Sequence, residues 1–158
     1  RYIRIKMSEF DRLTVDSMMV KDVYTLKKDA SVQEVAKKMK DHSIGSIVIV
    51  ENKKPVGIIT ERDLVKRVIV ENKNTKETKA EEIMSKPVIA VYDATPLSEA
   101  IDLMHDKKIR RLVAVNKDDE TTGILTADDI GYNIEEFATD LGLEYLIITN
   151  LIRRRENE

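Results

Sequence analysis

The chain has 158 residues with 42% hydrophobic and 35% charged side chains, which is enough to bury a core and too apolar for a disordered segment. Its formal net charge of -2 gives no general attraction to nucleic acid or to an anionic membrane surface. The absence of cysteine excludes disulfides, thiolate metal sites and cysteine nucleophiles.

In chain order, the start at Arg1-Tyr2-Ile3-Arg4-Ile5-Lys6 lacks a signal-peptide core, and Met7 is a candidate native start. No apolar run approaches the roughly 18 residues of a membrane span, so a cytoplasmic location without membrane contact is expected. A short strand is predicted over 23–26. A helix follows, opened by a capping box of Ser31 and Glu34 and carrying Val32, Val35, Ala36 and Met39 at helical spacing. Two strands at 47–50 and 56–59 flank a polar turn, and their continuous Val/Ile runs suit strands buried on both faces. A second helix is predicted to start at Thr60. The polar, unpatterned stretch 71–79 reads as a linker.

The same order then returns. A strand is predicted over 88–91, and a helix with Pro96 at its first position carries Leu97, Ala100, Ile101 and Met104. Strands at 112–115 and 123–125 follow, with a helix from Thr126. Met19 matches Met84, Met39 matches Met104 and Ile44 matches Ile109 at an offset of 65; Gly57 with Gly123, Thr60 with Thr126 and Asp63 with Asp129 are offset by 66. This is an internal repeat of β-α-β-β-α units. Each unit alone is too small to cover its sheet and helices. Packing the two face to face with pseudo-twofold symmetry solves this and creates two equivalent clefts, within an α/β fold.

Beyond Gly131, residues Ile134, Phe137, Ala138, Leu141, Tyr145, Ile148 and Ile152 form a helical apolar stripe closed by Arg153-Arg154-Arg155. A stripe this apolar must be covered, by its own module or by a second copy. The expected division is 12–70 and 80–138 for the two units, 71–79 for the linker and 139–158 for a C-terminal helical extension.

Two ordered copies of Gly-Ile-Ile-Thr-Glu-Arg-Asp (from Gly57) and Gly-Ile-Leu-Thr-Ala-Asp-Asp (from Gly123) carry a resemblance. So do Ser17-Met18-Met19 with Ile83-Met84-Ser85, and the helix ends before Ile44-Gly45-Ser46-Ile47 and Ile109-Arg110-Arg111-Leu112. The chain resembles a tandem pair of CBS (cystathionine β-synthase) motifs, a Bateman module, over about 12–137. The resemblance implies a regulatory module that binds an adenine nucleotide or S-adenosylmethionine between the motifs, with no cofactor required for its own chemistry.

The Thr-x-x-Asp element has two readings. Threonine followed three residues on by aspartate is a sound way to start a helix. A helix-opening hydroxyl and exposed N–H groups also suit a phosphate, and an acceptor-only carboxylate suits a ribose diol. The resemblance favours the second, grouping Thr60, Arg62 and Asp63 with Arg110 or Arg111, and Thr126 and Asp129 with the region of His42. Tyr24, Thr25, Ile89 and Ala90 on the first strands are candidate walls for an adenine ring. Arg62 is replaced by Asp128 in the second repeat, and Arg110-Arg111 by Gly45-Ser46 in the first. The Asp63 cleft is therefore expected to take a phosphorylated ligand, and the Asp129 cleft a less charged adenosyl compound or none.

No phosphate loop of Walker type, GxGxxG or HExxH occurs, and His42 and His105 lie in different repeats. Neither a catalytic residue nor a metal site is expected, and the chain is read as no enzyme. The expected partners are an adenosine-containing small molecule, a second copy of the chain and an unidentified regulated protein. The alternatives are a structural dimerisation module with vestigial clefts, and a nucleic-acid-binding regulator using the triple arginine.

Overall fold

A computed structural model describes residues 12–133. The apolar stripe from Ile134, the expected extension 139–158 and the start before Arg12 lie outside the described residues.

The elements run α1 (Val15–Met18), β1 (Thr25–Lys27), α2 (Val32–His42), β2 (Ser46–Glu51), β3 (Lys54–Thr60) and α3 (Glu61–Leu64). α3 continues as a wider π-type turn over Val65–Ile69. Then come α4 (Ala80–Ile83), β4 (Ala90–Tyr92), α5 (Leu97–Lys107), β5 (Arg111–Val115), β6 (Thr121–Thr126) and a helix α6 over 127–133. β1-β2-β3 form one sheet and β4-β5-β6 the other; in each, the first pair is parallel and the second antiparallel. The β-α-β-β-α order is thus present twice, and each repeat is preceded by a short helix that the periodicity did not reveal.

The two sheets meet face to face through Val48, Val113 and Val115, with Val23, Val50, Ile58, Val88 and Ile124 around them. Behind each sheet lies a further core, and here the repeats exchange parts. Val15, Met18 and Met19 of the first repeat pack with Leu97, Ala100, Met104, Leu112 and Leu125 of the second. Ala80 and Ile83 pack in turn with Val32, Val35, Met39, Ile47 and Ile59 of the first.

Backbone bonds follow the same exchange. The N–H groups that open α2, Val32 and Gln33, donate to Thr78 O and Thr75 O at 2.9 Å each, and Leu97 N–H at the start of α5 donates to Leu13 O at 2.8 Å. These satisfy donors that a helix start leaves without an internal partner. They also explain two departures from the sequence reading. The stretch 71–79 is a series of turns docked on α2, with Thr78 buried, because its carbonyls cap that helix. Pro96 is the residue before α5 and not its first residue, because Leu97 takes up the bond to Leu13.

The Ser31–Glu34 capping box is formed: Glu34 N–H donates to Ser31 Oγ at 3.2 Å, and Ser31 N–H donates to Glu34 Oε2 at 2.7 Å. Hydrogen bonds from the Ser31 hydroxyl, and then from its N–H, hold the Glu34 carboxyl below its ordinary range. α2 and α5 end alike on a left-handed residue, Ser43 at φ 52° and Lys108 at φ 52°. That reversal turns the chain into β2 and β5 at equivalent places.

Two glycines carry the exchange. A Cβ on Gly57 would come within 2.9 Å of Met84 Cβ and 2.6 Å of its Cγ; one on Gly123 would come within 2.8 Å of Met19 Cγ. Each methionine of one repeat therefore lies flat on the glycine of the other, which only a residue without a side chain permits.

Candidate functional site

The end of β3 supplies the first group of side chains. Thr60 caps α3: its N–H and Oγ1 both donate to Asp63 Oδ2 at 2.9 Å, and Asp63 N–H returns to Thr60 Oγ1 at 3.3 Å. The capping reading of Thr-x-x-Asp is thus realised in full. It uses one carboxylate oxygen. The other, Oδ1, faces Arg67 Nη2 at 3.6 Å. Arg67 also donates from Nη1 to Ile83 O at 2.6 Å, tying the helix after Asp63 to the chain that leads into Met84 and Ser85.

That chain forms the opposite wall. Ser85 exchanges backbone bonds with Ile58, at 2.9 Å and 3.2 Å, so the second repeat's approach to β4 is stitched onto β3 of the first. Val113 N–H donates to Ile89 O at 3.3 Å. Between these walls is a cleft of about 560 Å³. Thr60, Glu61, Arg62 and Asp63 line one side; Ser85, Pro87, Val88 and Ile89 the other; Lys108, Ile109, Arg110 and Arg111 close the end, over Ile58 and Val113. Arg62, Lys108, Arg110 and Arg111 bring four cations against the carboxylates of Glu61 and Asp63.

Arg111 Nε is buried without a hydrogen-bond partner among the described residues, in a guanidinium that lines this cleft. Arg110 points its guanidinium to Asp128, with Nη2 donating to Oδ1 at 2.8 Å. Both arginines line the cleft, Arg111 half-buried and Arg110 largely exposed to solvent.

The structure therefore brings together Thr60, Arg62, Asp63, Ile89, Arg110 and Arg111 of the sequence-derived candidates. It places the others elsewhere. Thr126 and Asp129 repeat the cap at the end of β6, with Thr126 N–H and Oγ1 donating to Asp129 Oδ2 at 3.0 and 2.6 Å. Tyr24 and His42 stack on each other with ring centroids 3.9 Å apart, which gives His42 a packing role at the end of α2. Ala90 is exposed on β4, and Thr25 lines a different cavity.

Sequence reading passed over Arg67, Lys108 and Ser85. Arg67 had a signal, since it lies four residues after Asp63 on a helix, where an acidic and a basic residue meet. Asn133 takes its place in the second repeat, bonding from Nδ2 to Asp129 O at 2.8 Å.

The cavity that takes in Thr25 is larger, about 760 Å³, and lies at the opposite end of the sheets, around Lys21, Lys27, Lys28 and Lys53. Three of those lysines already hold carboxylates: Lys21 with Asp16 at 3.0 Å, Lys28 with Glu51 at 2.7 Å and Lys53 with Glu120 at 3.4 Å. The hydrogen bond and charge of Glu51 raise the Lys28 pKa above its ordinary value. Thr121 of this cavity and Arg111 of the Asp63 cleft each carry one buried polar atom without a partner among the described residues, so what sets the Asp63 cleft apart is the Thr60–Asp63 turn beside its four cations. Among the described residues no three His, Asp or Glu side chains converge as a metal-binding set, and no helix is long and apolar enough to cross a membrane.

The family model described as CBS domain matches residues 15–70 and again 80–135. An uncharacterized protein of Methanopyrus kandleri is 45% identical over 119 residues, covering 75% of this chain and 61% of that protein. Inosine-5'-monophosphate dehydrogenase of Methanocaldococcus jannaschii is 34% identical over 116 residues, 73% of this chain but 22% of the enzyme. The chain thus spans about three fifths of the first relative and about a fifth of the second. Among solved structures, a CBS domain protein from Pyrobaculum aerophilum complexed with AMP superposes with a TM-score of 0.68 at 28% identity, covering 74% of this chain and 89% of that one. A CBS domain pair in complex with 5'-methylthioadenosine and S-adenosyl-L-methionine gives 0.69 at 30% identity, covering 77% and 99%.

Proposed function

The chain belongs to the CBS domain family, and from that premise we propose that it is a regulatory module whose Asp63 cleft binds a phosphorylated adenosine ligand of the AMP, ADP or ATP type. The observation that carries this reading is the convergence of Arg62, Lys108, Arg110 and Arg111 on the cleft that holds the Thr60–Asp63 turn. Guanidinium and ammonium groups give phosphate oxygens charge-assisted bonds, so this set of cations suits a phosphorylated ligand. Asp63 Oδ1, which is not used in the cap, accepts from the ribose diol. Ile58, Val88, Ile89 and Val113 offer the apolar walls an adenine ring needs. The solved relatives in complex with AMP and with 5'-methylthioadenosine and S-adenosyl-L-methionine support the ligand class.

A second cleft at Thr126 and Asp129, expected from the pseudo-twofold repeat, would differ in charge, with Asp128 beside Asp129 where the first repeat has Arg62 beside Asp63. It suits a less anionic adenosyl compound such as S-adenosylmethionine. Thr126 and Asp129 would serve there as Thr60 and Asp63 do in the first cleft. The module does no chemistry of its own in this reading. Its match to the dehydrogenase is confined to 22% of that enzyme, so the enzyme's activity does not come with the match. Its place is the cytoplasm, where such nucleotides are abundant, and its output passes to a regulated partner protein.

The test is a thermal-shift titration of the full chain with AMP, ATP, S-adenosylmethionine and NAD. A ligand at 100 times its dissociation constant adds about 2.7 kcal/mol of stability, so a dose-dependent rise in Tm is expected with at least one of them. If all four leave Tm unchanged at millimolar concentration, the reading gives way to that of a structural module.

A further inference from the structure

We propose that Arg110 couples the two clefts, because Asp128 and a phosphorylated ligand in the Asp63 cleft compete for its guanidinium. The proposal rests on the sensing function above and adds to it a rule about which pairs of ligands favour each other.

Arg110 stands between the two Thr-x-x-Asp turns. Its carbonyl accepts from Ala127 N–H at 2.9 Å, fixing it to the start of α6. Its guanidinium holds Asp128 Oδ1 at 2.8 Å, one residue before Asp129. The same residue lines the cleft that contains Thr60 and Asp63. One cation is thus within reach of the Asp63 cleft and of the Thr126–Asp129 turn, where the repeat places the second cleft.

The pair is built to exchange. Both side chains are about three quarters exposed, 75% for Arg110 and 76% for Asp128, so water and salt screen their attraction. A phosphate offers a guanidinium two parallel charge-assisted bonds, a stronger offer than a single carboxylate oxygen in solvent. The first repeat has no equivalent device, since Gly45 occupies the place of Arg110 and Arg62 that of Asp128. Competition for a shared cation therefore runs through the second repeat alone.

The signs follow. When a phosphorylated ligand recruits Arg110, Asp128 loses its counter-charge and the Asp129 cleft becomes more negative. A cationic adenosyl ligand, such as the sulfonium S-adenosylmethionine, then binds there more tightly, and a second anion more weakly. By linkage, a cation near Asp128 releases Arg110 and strengthens phosphate binding at the first cleft by the same factor.

Calorimetric titration of AMP into the full chain, with Asp128→Asn, Arg110→Ala and the double variant, tests this. Asp128→Asn should tighten AMP about two- to fivefold, the range an exposed ion pair supports. Arg110→Ala should weaken AMP several-fold, and in that background Asp128→Asn should change nothing. An equal gain from Asp128→Asn with and without Arg110 would mean a general field of the carboxylate and overturn the coupling. So would AMP affinity that is unchanged in Asp128→Asn or in Arg110→Ala. No AMP binding to the wild-type chain would instead remove the phosphorylated-ligand reading of the first cleft, and the coupling with it.

Discussion

Replacing Asp63 by asparagine separates the two jobs its carboxylate is positioned to do. Oδ2 is committed to the cap, accepting the N–H and the hydroxyl of Thr60 at 2.9 Å each. Among the described residues Oδ1 has only Arg67, at 3.6 Å, and is the oxygen left for a ribose diol. An asparagine that puts its carbonyl oxygen in place of Oδ2 still accepts from Thr60, and the N-cap bond from the N–H of residue 63 to Thr60 Oγ1 is unaffected. Its amide nitrogen then replaces Oδ1, presenting a donor beside the cation of Arg67 where an acceptor is needed. The diol loses up to two hydrogen bonds to a charged group, each worth about 1.5–3 kcal/mol. Affinity for AMP should therefore fall at least roughly tenfold, and a hundredfold if both bonds are lost. Asp63→Ala should lose the affinity and in addition about 0.5–1.5 kcal/mol of fold stability, as the bond from the Thr60 N–H loses its acceptor while the N-cap bond to Thr60 Oγ1 stays. Calorimetry with AMP gives the first quantity and thermal unfolding the second. Wild-type affinity in a fully folded Asp63→Asn chain would remove Asp63 from the ligand site and leave it a capping residue only.

Two further predictions rest on other parts of the fold. Gly123→Ala places a Cβ within 2.8 Å of Met19 Cγ and should cost about 1–3 kcal/mol. Added to Met19→Ala, which alone opens a core cavity worth about 2–5 kcal/mol, it should cost almost nothing more, and additive losses in thermal unfolding would refute the contact. Val65, Ile69 and Val70 are 50%, 69% and 71% exposed, and the sequence carries a separate apolar stripe from Ile134 to Ile152. We expect a homodimer by light scattering at micromolar concentration, weakened by truncation near Thr139, and a monomer would mean that the stripe is covered within one chain.

The repeat was legible because equivalent residues recur at fixed offsets, and the offsets align the two Thr-x-x-Asp turns without any structure. The caps were legible as well: Ser31 with Glu34 and Thr60 with Asp63 are local, three residues apart, and local spacing is what a sequence displays. What it hides is which core a segment joins. Val15, Met18 and Met19 read as the opening of the first repeat, yet they fill the core of the second, as Ala80 and Ile83 fill that of the first. Periodicity states that a face is apolar and is silent on the partner. Once Met84 lies on Gly57 and Ser85 bonds to Ile58, the chain from Ser85 to Ile89 has no choice but to run along the end of β3, opposite Thr60 and Asp63. The Asp63 cleft thus owes one wall to each repeat, and the marker methionine and glycine, which touch no ligand candidate themselves, set the distance between the walls. Ile89 lines this cleft and Ala90 does not, while Tyr24 and Thr25, their equivalents at an offset of 65, lie outside it in the first repeat. Wall residues were assigned by strand position, whereas the wall facing Asp63 is the approach to β4, one step earlier in the chain.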